Sequence, residues 1–255
     1  RWRLYWQLEF RAIAFIIQPK LMHLVALEGK NAIKKSIKDP ILRDKLTPKY
    51  LPGCKRILIS NNYYPALAQP NISLVTEGID RITPTGIITA DGTHREVDTL
   101  ILSTGFVTVD GGSPVEMIGR NGVSLNQLWT DGSMEAYRGS LVSGFPNVFM
   151  IVGPNTGLGH HSMIQMIEAQ IRHAVKGIQA VQASDAQALD VKKDVQTAYN
   201  VGINKNLSKT VWLSGCSSWY VDKFGRATAS WPSFVTKFRR MMRNFKPQDY
   251  EWIKV

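Results

Sequence analysis

Two adjacent cations, Lys55 and Arg56 in "GCKRILISNNYYPAL", bear most directly on chemistry. Arginine holds its charge at any working pH and presents a rigid fork of donors, which suits an oxyanion or a peroxide; lysine suits a phosphate as a point charge. The pair opens a β-prone run, in which successive side chains point to opposite faces, so one cation can face one ligand and the other a second. A second candidate is "VFMIVGPNTGLGHHSMIQMIEAQ", a strand, a glycine-rich loop and a helix in that order. That order sets backbone N–H groups and the positive end of a helix dipole against whatever lies above the sheet. It fits a phosphate, a pyrimidine-like carbonyl or an anionic ring system. His160 and His161 at the end of that loop are of the type that exchanges protons near neutral pH. A third stretch, "SSWYVDKFGR", offers Trp219, a flat ring able to stack on a cofactor. Each has a plainer account on its own: a solvated Lys-Arg pair, a histidine pair in local hydrogen bonds, a tryptophan buried in an interdomain contact. Cys54 and Cys216 lack metal-ligand spacing, and no metal site is expected.

The elements that must position these residues follow from the pattern. Residues 1–50 read as helical pieces, broken at Pro19, with Trp2, Tyr5 and Trp6 placed to pack against other structure. From "YLPGC" onward the pattern turns to short β-prone runs punctuated by Gly78, Gly86 and Asp91-Gly92, the signature of a β-meander. It leads into "VDTLILSTGF", where Leu100-Ile101-Leu102 in succession predict a strand covered on both faces. That strand ends in Ser103-Thr104-Gly105, which sheds bulk where a ligand crevice opens in α/β sheets. After "VFMIVG" and the loop Gly153 to Gly159, the spacing of Met163, Ile164, Ile167, Ile171, Ala174, Val175 and Ile178 predicts a helix with one apolar face. Further helices are expected near Asp190 to Lys205 and around "SFVTKFRRMMRNF".

The 255 residues suffice for one large domain or two small ones, and 44% hydrophobic with 20% charged residues describes a globular chain. The formal charge of +11 is concentrated at the ends: residues 1–60 hold 13 Lys/Arg against 4 Asp/Glu, and residues 201–255 hold 10 against 3. Such ends suit nucleic acid, an acidic membrane surface, an anionic cofactor or plain solvation. No spanning helix or signal peptide is expected, and the distant cysteines are read as unpaired thiols of a reducing compartment, so a cytoplasmic location is expected.

Taken together and in order, "KRILISNNYYPAL", "PNISLV", "VDTLILSTGF", "FPNVFMIVGPNTGLGHHS" and "SSWY" resemble the C-terminal portion of the class B flavin monooxygenases, most closely the Baeyer-Villiger group that includes the hydroxyacetophenone-type enzymes. Ser103 stands where alanine is usual in the motif. The resemblance implies an α/β fold: the C-terminal half of a flavoprotein with two Rossmann-like dinucleotide-binding domains, one for FAD and one for NAD(P), carrying a helical N-terminal segment. It further implies residues 1–50 as a helical insertion of the NADPH domain, 51–103 as the remainder of that domain, and 104–255 as the C-terminal part of the FAD domain. The implied activity uses NADPH and O2 to insert oxygen into a ketone through a flavin C4a-peroxide, giving an ester or lactone. Arg56 would stabilise the peroxide and position the nicotinamide, and Lys55 would contact the NADPH 2′-phosphate. Thr104 and Gly105 would approach the cofactors where the chain passes between domains. Asn155, Thr156, Gly157 and Leu158 would border the flavin, and Trp219 would belong to a loop that folds over NADP. The GxGxxG sites for FAD and NADPH and the fingerprint between them do not occur, and the chain starts at Arg1, so a missing N-terminal half is expected to complete the site.

Three alternatives stand beside this reading. One is a flavin monooxygenase acting on nitrogen or sulfur. Another is a basic module for nucleic acid or an anionic membrane, although no nucleic-acid motif accompanies the charge. The last is a non-catalytic fragment with exposed sheet edges.

Overall fold

Proline at position 19 sets the course of the N-terminal helices: lacking an N–H, it opens a short 3-10 turn, Pro19–Leu21, that separates α1 (Trp2–Ile16) from α2 (Met22–Ser36). The computed structural model describes residues 2–109, 112, 113 and 115–254. The chain divides into two compact units, one of Arg1–Val25, Tyr50–Ile57 and Val107–Val255, the other of Ala26–Lys49 and Leu58–Phe106. Among the described residues no single helix is long and apolar enough to cross a membrane; only the bent pair α1 with Pro19–Ser36 passes by length and composition.

The smaller unit carries most of α2, α3 (Pro40–Leu46), α4 (Tyr63–Leu67) and the expected meander, β1 (Ile79–Thr83), β2 (Gly86–Thr89) and β3 (His94–Glu96), antiparallel in the order β1-β2-β3. Ile82 faces Ile87 across a tight turn, and Ile88 faces His94. Gly92 at φ +80° and Asp91, whose Oδ1 accepts from Thr93 N at 3.1 Å, form the second turn.

The larger unit is helical around a core of α1, α6 (Met163–Gln182), α7 (Lys193–Leu207) and α8 (Val235–Arg243), with Phe15, Met166, Leu207, Trp212 and Phe238 buried together. α5 (Leu125–Asp131) covers a smaller cluster around Trp129 and Phe145. Strands β4 (Ala188–Val191) and β5 (Tyr250–Ile253) pair antiparallel, Leu189 opposite Trp252, over Tyr137 and Leu141. β4 occupies the start of the segment expected to be helix, so that helix begins at Lys193.

Four expectations are corrected. The runs Lys55 to Ser60, Val97 to Phe106 and Val148 to Gly153 form no strands. Ile101 and Leu102 lie in solvent instead of between two packed faces, and Leu58, Ile59 and Phe106 are exposed as well, Phe106 at 95%. A strand is held by its neighbours' ladders, and single backbone bonds such as Val97 N to Thr85 O at 3.2 Å and Met150 N to Ser140 O at 2.8 Å do not make one. The buried face of α6 is Met166, Ala169, Gln170, His173 and Gly177, while Ile164, Ile171, Val175 and Ile178 point outward. The helix follows the face whose two polar residues find partners: Gln170 donates to Gly139 O at 2.8 Å, and His173 bonds Met242 O at 2.9 Å. Finally, Cys54 and Cys216 are joined in a disulfide across 162 residues of sequence, their Cα atoms 6.3 Å apart. Spacing along the chain gave no sign of this pair because tertiary packing of the larger unit brings the two together.

Candidate functional site

The segment bearing Lys55 and Arg56 is fixed from below. Gly53 has φ +88°, and a Cβ there would stand 2.6 Å from Met22 Cε and 3.0 Å from Phe15 Cε1, so only glycine fits. Cys54 is fully buried and bonded to Cys216, which ties this segment to the loop that carries Trp219. From this anchor the two cations go to separate aromatic partners. Lys55 Nζ lies 5.0 Å from the centroid of the Tyr50 ring. The Arg56 guanidinium faces the Tyr220 hydroxyl; burial raises the Tyr220 pKa above its ordinary value, and the arginine pulls it the other way. Tyr220 is buried and its ring centroid is 4.1 Å from that of Trp219, which is 43% exposed and keeps a face available for stacking. The structure therefore brings Arg56 and Trp219 into one assembly, with Tyr220 between them.

The loop before α6 is gripped along its length. Asn155, at φ +57° and buried, donates from Nδ2 to Ala227 O at 2.8 Å and Ser230 O at 3.2 Å, and from its backbone N to Thr228 O at 2.6 Å. Thr156 Oγ1 donates to Gly153 O at 2.6 Å. Gly157 N donates to Ala229 O and Trp231 N to Gly157 O, each at 2.8 Å; a Cβ on Gly157 would meet Ala229 O at 2.6 Å. Leu158 sits in the core. The side chains of Asn155, Thr156 and Leu158 are thus engaged within the protein, and so are the backbone N–H groups of Asn155 and Gly157.

Several buried polar atoms beside this loop have no partner: both ring nitrogens of His160, Thr228 Oγ1, Ser230 Oγ and Trp212 Nε1. Burial lowers the His160 pKa to about 4, against the opposing pull of the Glu9 carboxylate, so the ring is neutral at physiological pH with one N–H and one lone pair to satisfy. His161 is likewise lowered, mainly by burial, and its Nδ1 accepts from Ser162 N at 2.8 Å.

Both loops rest on one ring. A Cβ on Gly159 would stand 2.8 Å from Phe15 Cε1, the same carbon that excludes a side chain at Gly53, and Phe15 also contacts His160 and Trp212 at centroid distances of 5.8 and 6.1 Å. Sequence reasoning missed Phe15, Tyr220 and Glu9. Glu9 is buried and its carboxylate accepts from Val235 N at 3.1 Å and Thr236 N at 2.7 Å, capping α8 from 226 residues away. Only the aromatic density of α1 and of "SSWY" hinted at the two rings. Thr104 and Gly105 lie in the smaller unit, exposed, Gly105 at φ +81° with open space around it.

The comparisons with known proteins are decisive for ancestry. The chain is 44% identical over 253 residues, 98% of its length, to a Baeyer-Villiger monooxygenase of Pseudomonas aeruginosa. It is 38% identical over 248 residues to another of that name from Streptomyces coelicolor. The chain belongs to the Baeyer-Villiger monooxygenase family. No protein-family model matches it. Its backbone superimposes on an NADP-bound steroid monooxygenase with a TM-score of 0.83 at 22% identity, covering 95% of this chain and 47% of that one. It superimposes equally well, at 25% identity, on an NADP+-bound cyclohexanone monooxygenase from Rhodococcus sp. Phi1, again 95% of this chain and 47% of the other. The fold is that of the two-domain flavin monooxygenases, of which it forms a mixed α/β part. The chain spans about half the length of the curated relatives it matches, 48% in both cases.

Proposed function

We propose that the enzyme containing this chain is an FAD- and NADPH-dependent monooxygenase that inserts an oxygen atom from O2 into a ketone, giving an ester or lactone. The observation that carries the proposal is the placement of Arg56, tied by Cys54–Cys216 to the Trp219 loop and facing Tyr220, within a chain 44% identical to a Baeyer-Villiger monooxygenase. Relatives described as FAD-binding monooxygenases and neighbours solved with NADP support the cofactor pair. The unpartnered side-chain atoms of His160, Thr228 and Ser230 beside this loop fit a polar ring system in contact with it.

Bound flavin and nicotinamide supply hydride transfer and oxygen activation. This chain's residues bind and orient. Arg56 supplies a permanent positive charge where negative charge develops on oxygen, Lys55 offers a point charge to a phosphate, and Trp219 stacks and excludes water. Thr104-Gly105 and the backbone of Asn155 to Leu158 approach the cofactors, in the domain scheme of 1–50 and 51–103 for NADPH and 104–255 for FAD. The cytoplasmic location rests on the need for NADPH alone, because Cys54 and Cys216 are bonded and no longer speak for a reducing compartment.

Titrating FAD against the 255-residue chain, followed by flavin fluorescence and melting temperature, tests this reading. Saturable binding with a rise in melting temperature, weakened by Ser230→Ala or His160→Phe, is the expected result. A folded chain that leaves flavin fluorescence untouched would refute a flavin surface here. In an enzyme that includes the remainder of the relatives' length, Arg56→Ala is expected to preserve flavin reduction by NADPH and abolish ester formation; product formation at the parental rate would remove Arg56 from the mechanism.

A further inference from the structure

We infer that the cavity at the C-terminal end of α8 is a binding site for a small phosphate-bearing anion. The cavity measures about 490 Å³ and is lined by Arg138, Lys237, Arg240, Met241, Asn244 and Lys246. That volume lies in the range of small-molecule sites, roughly 300 to 1,000 Å³. Four of the six lining residues are cations and none is acidic.

These cations do two different jobs. Arg138 is buried, with φ +53°, and its guanidinium donates to Met241 O at 3.0 Å and Asn244 O at 2.7 Å while lying 3.6 Å from the Asp249 carboxylate. Lys176 Nζ, outside the cavity, donates to Arg243 O at 2.6 Å. The terminal carbonyls of α8, whose partial negative charge opposes an anion, are therefore covered by two cations. Lys237, Arg240 and Lys246 are exposed and have no ion-pair partner among the described residues. Lys237 and Arg240 are three residues apart on α8 and share a face, where like charges cost a few tenths of a kcal/mol.

Residues 223–248 hold 7 Lys/Arg and no Asp or Glu; Asp249 beyond them is engaged by Arg138 and Glu9 by the start of α8, and neither forms an ion pair with Lys237, Arg240 or Lys246. An anion in the cavity relieves the like-charge repulsion. A phosphate has several charged oxygens to share between the arginine fork and two lysine point charges, which a single carboxylate lacks. Met241 supplies an apolar wall for an organic body attached to that phosphate. None of Lys55, Arg56, Thr104, Gly105, Asn155 to Leu158 or Trp219 lines the cavity, so the site lies beyond the flavin and nicotinamide contacts proposed above.

Isothermal titration of the 255-residue chain with inorganic pyrophosphate tests the site. Saturable binding is expected, weakened at least about tenfold by the double variant Lys237→Gln/Arg240→Gln. The same charge removed elsewhere, by Lys205→Gln/Lys209→Gln, is expected to leave the affinity unchanged. Each variant's melting temperature without pyrophosphate shows whether it folds, and Lys246→Gln, outside the helix, keeps the test open if the α8 variant does not. Equal weakening by both double variants would reduce the effect to net charge and overturn the site. So would the absence of saturable binding, or binding to phosphatidylcholine vesicles containing phosphatidylserine with none to pyrophosphate.

Discussion

Arg56 owes its place to a disulfide and a tyrosine. With Cys54 tied to Cys216, the guanidinium is held against the Tyr220 hydroxyl, and the positive charge offsets part of the burial that raises that phenol's pKa. Replacing Arg56 by alanine removes the lowering influence and leaves burial unopposed. The Tyr220 titration is therefore expected to move further up, read as phenolate absorbance that disappears in Tyr220→Phe. Reducing the disulfide is expected to act in the same direction by loosening the segment from the loop, since Cys216 is partly exposed and open to attack by a thiol. An unchanged titration in Arg56→Ala would show that the two groups do not interact. At this scale the sequence was informative about type and silent about partnership. An Arg after a Lys and a Trp in a serine-rich loop can be singled out by chemistry, but the disulfide and Tyr220 act across 162 and 164 positions of separation, which no local pattern encodes.

The elements show why glycines, rather than polar residues, mark the two loops of the site. Gly53 and Gly159 both abut Phe15 Cε1, so α1 presents one ring against which both loops close. A methyl at Gly159 would stand 2.8 Å from that carbon and 3.5 Å from Trp212 Cζ2, both in a fully packed core. Gly159→Ala is expected to destabilise the larger unit by about 1–3 kcal/mol, the usual cost of overpacking. Chemical denaturation measures it, and Phe15→Leu, which withdraws the ring, is expected to recover part of the loss in the double variant. Additive losses would mean that the two positions do not meet. The helices, the meander and the glycine-rich loop were legible because their signals are local: Pro19, Asp91-Gly92, the run of glycines. The absence of strands at Lys55 to Ser60, Val97 to Phe106 and Val148 to Gly153, and the inner face of α6, were not. A continuous apolar run specifies a strand only when neighbours supply its ladder, and α6 turned inward the face where Gln170 and His173 find partners.

Exposed apolar side chains occur along α1 and α2, on the outer face of α6 and on the unpaired runs through Leu58-Ile59 and Leu102 to Phe106, in a chain that spans 48% of its curated relatives. Its stability therefore leans on the core of the larger unit, where two histidines are buried. His160 and His173 are each lowered to about 4, chiefly by burial. For His173 the geometry explains why protonation is resisted. Met242 O can only accept, so Nδ1 carries the proton; Nε2, 2.9 Å from Tyr250 Oη, is then the acceptor of that hydroxyl, while Arg138 and Lys176 oppose a further positive charge. The sign follows from linkage. An unfolded histidine takes up a proton near pH 6.5 and the folded one only near 4, so between these values the unfolded state binds more protons. Stability is complete above about pH 6.5 and falls with acid through the window, by about 1.4 kcal/mol per pH unit for each histidine. The raised pKa of Asp190, a consequence of its burial, works the other way at the acidic end. Urea denaturation from about pH 7 to about pH 5 is expected to show this slope, and His173→Asn, lower in stability throughout, is expected to show a flatter one. If the variant keeps the parental slope, the neutral His173 held between Met242 and Tyr250 is not what makes the larger unit acid-sensitive.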